Sequence, residues 1–124
     1  MTSESTDAAC PPLTQLRDAL RDFAVRRQWQ PFHTPKNLAM GLSIEAAEVL
    51  ELFQWLTPEQ SSALPPPVRE QLAQELGDVF IYLIMLADHC GIDPVKAAFD
   101  KMAINEAKYP VDKSRGVAKK YSEL

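Results

Sequence analysis

Gly41-Leu-Ser-Ile-Glu-Ala-Ala-Glu-Val-Leu-Glu-Leu-Phe-Gln-Trp55 sets two carboxylates, Glu45 and Glu48, three residues apart inside an apolar pattern of helical period. It has an echo in Gln74-Glu-Leu-Gly-Asp-Val-Phe-Ile-Tyr82, where Glu75 and Asp78 repeat the spacing. Residues i and i+3 lie on one side of a helix, so each pair forms a two-carboxylate edge. Two such edges facing each other make a four-carboxylate cluster. That much like charge needs a counter-charge, and an all-oxygen ligand set suits Mg²⁺, Mn²⁺ or Ca²⁺ better than Zn²⁺.

Outward from this stretch, Thr34 followed by Pro35 reads as an N-cap with proline at N1, opening a helix that runs to Leu56. Its expected core stripe is Leu38, Leu42, Ala46, Val49, Phe53 and Leu56. With Leu42 at zero, Glu45 falls about 60° to one side and Glu48 about 120°, and Trp55 returns to within about 20° of Glu48. Upstream, a helix from Thr14 as N-cap to about Gln28 carries Leu16, Ala19, Leu20, Phe23 and Ala24 as its stripe, before Trp29-Gln-Pro-Phe-His33 breaks it. Downstream, Thr57-Pro-Glu-Gln60 has the capping-box pattern and Pro65-Pro66-Pro67 stops any turn it starts. A third helix is expected from about Pro67 to Cys90, with Gly91 as its C′ residue. Leu72, Leu76, Val79, Phe80, Leu83 and Ala87 are assigned to its core face, and Glu75, Asp78 and Tyr82 to one shoulder. Its second half is apolar nearly all round, so a chain this small is expected to cover it by forming an oligomer. Asp93-Pro94 opens a fourth helix to about Lys108, before Tyr109-Pro110. Four helices with short connections and no strand predict an all-α four-helix bundle. The expected organisation is a disordered leader at residues 1–12, a helical domain at 13–110 and a basic tail at 111–124 of no assigned regular structure.

The formal charge of -4 leaves no basic footprint for nucleic acid. No apolar run approaches the ~20 residues of a membrane span, and residues 1–7 lack the basic and apolar regions of a secretory signal. No nucleic-acid or membrane partner is expected, and a cytoplasmic location follows by default. Cys10 and Cys90 make neither a disulfide framework nor a metal spacing; Cys90 reads as a small buried hydrophobe, and His89 as a complement to the helix dipole.

The chemistry rests on the acidic pairs, neither of which has a lysine at i+4 to neutralise it. A carboxylate di-iron bundle needs Glu-x-x-His motifs, and none is present. Trp29, Phe32, Trp55 and Tyr82 offer aromatic faces, and Lys101, Asn105 and Lys108 share one polar face of the fourth helix. A hard cation, aromatic faces and cationic donors together describe a nucleoside triphosphate site. There is no Gly-x-x-x-x-Gly-Lys phosphate loop.

Trp29-Gln-Pro-Phe-His33, Pro35-Lys-Asn37, Glu45-x-x-Glu48 running to Leu52-Phe-Gln-Trp55, Glu75-Leu-Gly-Asp78-Val with Ile81-Tyr82, Lys101-Met-Ala-Ile-Asn105, Tyr109-Pro110 and Lys120-Tyr-Ser-Glu-Leu124 occur in one order. In these the chain resembles the MazG-like all-α NTP pyrophosphohydrolases, and among them the small dCTP pyrophosphatases. The resemblance implies Mg²⁺-dependent cleavage between the α and β phosphates of a nucleoside triphosphate by a symmetric helical oligomer, with Mn²⁺ an alternative ion. It implies Glu45, Glu48, Glu75 and Asp78 as metal ligands and Trp29, Phe32, His33, Trp55 and Tyr82 as the nucleoside pocket. Lys101 and Asn105 match positions near the phosphates. A pocket histidine of the dCTP enzymes aligns with Leu20, a departure that bears on cytosine selectivity, and the linker between the acidic motifs is unusually proline-rich. Glu48, further from the core stripe than Glu45, is the first choice of general base. A non-catalytic nucleotide- and metal-binding helical dimer is the alternative, distinguished by the absence of turnover.

Overall fold

The structure is a computed structural model, and it describes residues 12–124. Except for Pro12, the expected leader lies outside the described residues, as does Cys10. Regular structure among the described residues is helical throughout: α1 (Leu13–Arg26), a 3₁₀ turn (Gln30–Phe32), α2 (Pro35–Phe53), α3 (Pro58–Ser61), α4 (Pro66–His89), α5 (Pro94–Lys108), α6 (Val111–Ser114) and a last 3₁₀ turn (Tyr121–Glu123).

The helix ends follow local chemistry. Thr14 is not the cap of α1. Pro12 takes that place, its carbonyl accepting from the Gln15 and Leu16 amides at 3.0 and 3.2 Å, so the helix starts two residues early, behind the proline's fixed φ. At the other end Gln28 adopts φ +54, and the amides of Gln28 and Trp29 bond back to the carbonyls of Val25 and Ala24, each at 3.0 Å. This is a Schellman closure with glutamine where glycine is usual, and it turns Trp29 back over α1. Thr34 caps α2 through Oγ1, which accepts from the Asn37 amide at 3.2 Å. The helix stops at Phe53 rather than Leu56, and Thr57, before Pro58, is extended. Thr57 and Gln60 then form the expected reciprocal capping box. Asp93 Oδ1 caps α5 by accepting from the Val95 and Lys96 amides at 3.0 and 3.1 Å. Gly91, at φ +66, follows α4 in the left-handed conformation expected of a C′ glycine.

The chain divides into two compact units, one up to Gly91 and the other Ile92–Leu124. In the first, α2 and α4 run antiparallel: Tyr82 lies against Gly41, while Glu75 meets Glu45 and Glu48 one to two turns further along α2. The half-buried seam of α4 is Val68, Leu72, Glu75, Val79, Tyr82 and Leu86, at spacings of four and three. This corrects the expected core face. Glu75 and Tyr82 lie on the seam and not on a shoulder, while Leu76, Phe80 and Leu83 are exposed, Leu76 by 50%. On α2, Gly41, Leu42, Glu45, Glu48 and Val49 are the half-buried counterpart, and Ala46 is exposed. Only Ala24, Leu38 and Ile84 are buried among the described hydrophobic residues, Leu38 fully. Ile84 was assigned to the uncovered half of its helix, but α1 packs there, and Arg21 donates from Nε to Asp88 Oδ2 at 2.8 Å to clamp the two helices. Of the α1 stripe, Ala19 and Phe23 are exposed.

In the second unit α5 buries no residue, and Phe99 and Met102 stand open on it. The tail, left unassigned above, is ordered by its own contacts: Tyr121 packs edge-on to Tyr109 with centroids 6.1 Å apart, and Lys108 Nζ lies 4.7 Å from the Tyr121 ring centre. Cys90 is exposed, not a buried hydrophobe, because it caps α4 where the chain turns away at Gly91. No helix among the described residues is long and apolar enough to cross a membrane.

Candidate active site

Glu45, Glu48 and Glu75 each present an oxygen within 4.8 Å of the others, across the α2–α4 seam. The i, i+3 pair comes from one helix and the third carboxylate from its antiparallel neighbour. With all three ionised, Oε2 of Glu45 and Oε2 of Glu75 are buried and have no hydrogen-bond partner. Such a group must gain a proton or a cation. The direction of its titration agrees. Burial, then proximity to Glu48, raises Glu45 above the ordinary carboxylate range, with the charges of Asp78 and Glu75 adding to it. Glu75 is raised first by a hydrogen bond to Glu48, which it makes only by keeping its proton, then by burial and by the charges of Glu48, Asp78 and Glu51. Three converging hard oxygens with two lacking donors fit a hard divalent cation.

Asp78, expected as the fourth ligand, is exposed at the edge of this group and acts on it by charge. Glu48 is not the outlying member that the wheel suggested. It offers an oxygen within 4.8 Å of oxygens of both other carboxylates, since the antiparallel crossing brings Glu75 to its side of α2.

Toward the N-terminal end of α2, the same seam opens into a cavity of about 330 Å³ lined by Trp29, Phe32, His33, Asn37, Leu38 and Tyr82. That volume lies in the range of small-ligand sites. Trp29 stands edge-on to His33, with centroids 6.1 Å apart, and edge-on to Phe23 at 5.8 Å. Arg27 lies 3.5 Å above the Phe23 ring and holds that stack from outside. Asn37 donates from Nδ2 to the Phe32 carbonyl at 3.0 Å, tying the 3₁₀ turn to the first turn of α2.

Four of the five expected pocket residues therefore meet here. Trp55 does not. It lies beyond the C-terminal end of α2 and is 86% exposed. Lys101 and Asn105 belong to α5 in the second unit, Lys101 exposed and Asn105 half-buried. Sequence reasoning did not single out Asn37 or Leu38 as wall residues. Asn37 is the third residue of α2, and a polar side chain three after an N-cap was the available signal. Leu38 was assigned to the core and is also the floor.

Residues 41–124 match the family model described as the MazG-like family. Over 116 residues the chain is 43% identical to dCTP pyrophosphatase 1 of Mus musculus and 40% identical to that of Homo sapiens, spanning 92% of this chain and 68% of each relative. It is also similar to the crystal structure of a pyrophosphatase from Archaeoglobus fulgidus, with a TM-score of 0.75 and 43% identity over 78% of this chain and 91% of that one. With this likeness running through both the carboxylate seam and the aromatic cavity, the chain belongs to the MazG-like family.

Proposed function

We infer that the protein is a nucleoside triphosphate pyrophosphohydrolase that converts a deoxynucleotide, dCTP or a close relative, into its monophosphate and pyrophosphate. The observation that carries this is the juxtaposition on one seam. Tyr82 closes the aromatic cavity, and Glu75, two helical turns earlier on the same helix, belongs to the carboxylate group. A base held among Trp29, Phe32, His33 and Tyr82 directs its phosphate chain along α4 toward Glu45, Glu48 and Glu75. These oxygens would hold a hard divalent cation, Mg²⁺ first and Mn²⁺ second, which would supply charge neutralisation for the polyphosphate and activation of the attacking water. Asp78, at the exposed edge, would be a further ligand. Glu48, central among the carboxylates, takes the proton of the attacking water. Lys101 and Asn105 are assigned to the leaving pyrophosphate.

The working form is a homo-oligomer. Leu76, Phe80 and Leu83 on α4 with Met40 and Ile44 on α2 are apolar stripes that the other described residues leave exposed. Trp55, too exposed to serve its own chain's cavity, closes the site of a neighbouring copy.

Incubation with each dNTP and Mg²⁺, with pyrophosphate and orthophosphate assayed separately, tests the reaction. Pyrophosphate is expected as the first product. Orthophosphate first would make it a phosphatase, and binding without turnover would make it a sequestering module.

A further inference from the structure

Gly41 sits in the middle of α2, where glycine weakens a helix relative to alanine. Its lack of a side chain is used. A Cβ placed there would stand 2.7 Å from Cδ1 and 2.8 Å from Cζ of Tyr82, and nearer still to Cε1. One edge of the ring, Cδ1–Cε1–Cζ, therefore lies against the α2 backbone, closer than a side chain at position 41 allows. Gly77, the other helical glycine, meets nothing within 4 Å.

We propose that Gly41 is a positioning residue for the substrate pocket: it seats the Tyr82 ring against α2 and thereby sets the width of the cavity that takes the base. Three observations join here. Tyr82 is a wall of that cavity, Leu38 one turn before Gly41 is its buried floor, and Glu45 one turn after begins the carboxylate group. With a methyl group at position 41, the ring must swing either into the cavity, narrowing it, or out of it, removing the wall. Either movement weakens base binding and leaves the carboxylates in place. The functional part of this proposal rests on the nucleotide reading of the cavity; the seating of the ring does not.

The test is a double-mutant cycle of Gly41→Ala and Tyr82→Ala, read by steady-state kinetics on dCTP and by thermal unfolding with and without Mg²⁺. In the wild-type background Gly41→Ala is expected to raise KM about fivefold or more, the lower end of what a stacking aromatic contributes, with kcat and the Mg²⁺-induced rise in Tm retained. In the Tyr82→Ala background the ring is gone, so Gly41→Ala should leave KM unmoved and raise Tm, as an ordinary glycine-to-alanine change in a helix does. An unchanged KM in the wild-type background, or an equal rise in both backgrounds, overturns the proposal. A fall in kcat and Mg²⁺ response with KM unmoved also overturns it, because the helices rather than the ring would then have moved. The thermal half of the cycle needs no substrate. If wild type turned over no nucleotide, the reading of the function would fail, and a Tm that Gly41→Ala lowers in the wild-type background but raises in the Tyr82→Ala background would still show that Gly41 seats Tyr82.

Discussion

Replacing Glu45 by glutamine keeps the shape of the side chain and removes one of three charges whose oxygens lie within 4.8 Å of one another. Without metal the folded chain holds two buried carboxylate oxygens that lack donors, so the substitution relieves repulsion and lets an amide N–H donate to Glu48. The apo variant is therefore expected to unfold at the same temperature as wild type or higher. With metal the order reverses. At a Mg²⁺ concentration 100 times its Kd, binding stabilises the wild-type fold by about 2.7 kcal/mol, which for a chain of this size raises Tm by roughly 8–16 °C. If losing one ligand weakens binding about a hundredfold, the same Mg²⁺ concentration leaves only about 0.4 kcal/mol, or roughly 1–2 °C. Thermal unfolding of metal-stripped protein, at one fixed protein concentration with and without Mg²⁺, measures both halves. Glu45 and Glu75 are both raised in pKa, so protons compete with the ion and the Mg²⁺-induced shift should shrink as the pH is lowered. An apo Glu45→Gln protein that melts several degrees early would mean that Glu45 is a structural partner. A full Mg²⁺ shift in the variant would place the cation elsewhere.

The Arg21–Asp88 clamp between α1 and α4 holds Asp88 below its ordinary range, first through the Arg21 hydrogen bond and with help from the charges of Arg21, Arg17 and His89. A depressed carboxylate stabilises the fold above its unfolded pKa and loses that contribution as the pH falls through the folded one. Asp88→Asn should thus lower Tm at pH 7 and converge with wild type in strong acid; a gap that is constant with pH would refute an ionic role. For Trp55, an inactive Trp55→Ala protein mixed with an inactive Glu75→Gln protein should recover some turnover in hybrid oligomers. If subunits demonstrably exchange and no activity returns, each site is built within one chain.

Much of this molecule was legible along the chain because helix ends are local chemistry. Thr34-Pro35, the Thr57–Gln60 box, Asp93-Pro94 and Gly91 satisfy or terminate backbone groups within a few residues, and each does in the structure what its neighbours in sequence imply. The acidic pairs were legible for the same reason, since i, i+3 spacing guarantees a shared helix side whatever the helix packs against. Which side faces inward is a different matter. Hydropathy turned the seam of α4 toward Leu76, Phe80 and Leu83, but its packing against α2 places Glu75 and Tyr82 inside and leaves those three exposed. Periodicity measures where apolar residues lie and is blind to a carboxylate drawn into a seam, so the carboxylate group on α2 and α4 rotates the apparent core face. Only tertiary structure brought Glu75 beside Glu48, parted Trp55 from the other pocket aromatics and found the use of Gly41, because each depends on the antiparallel register of two helices separated by the proline-rich connection.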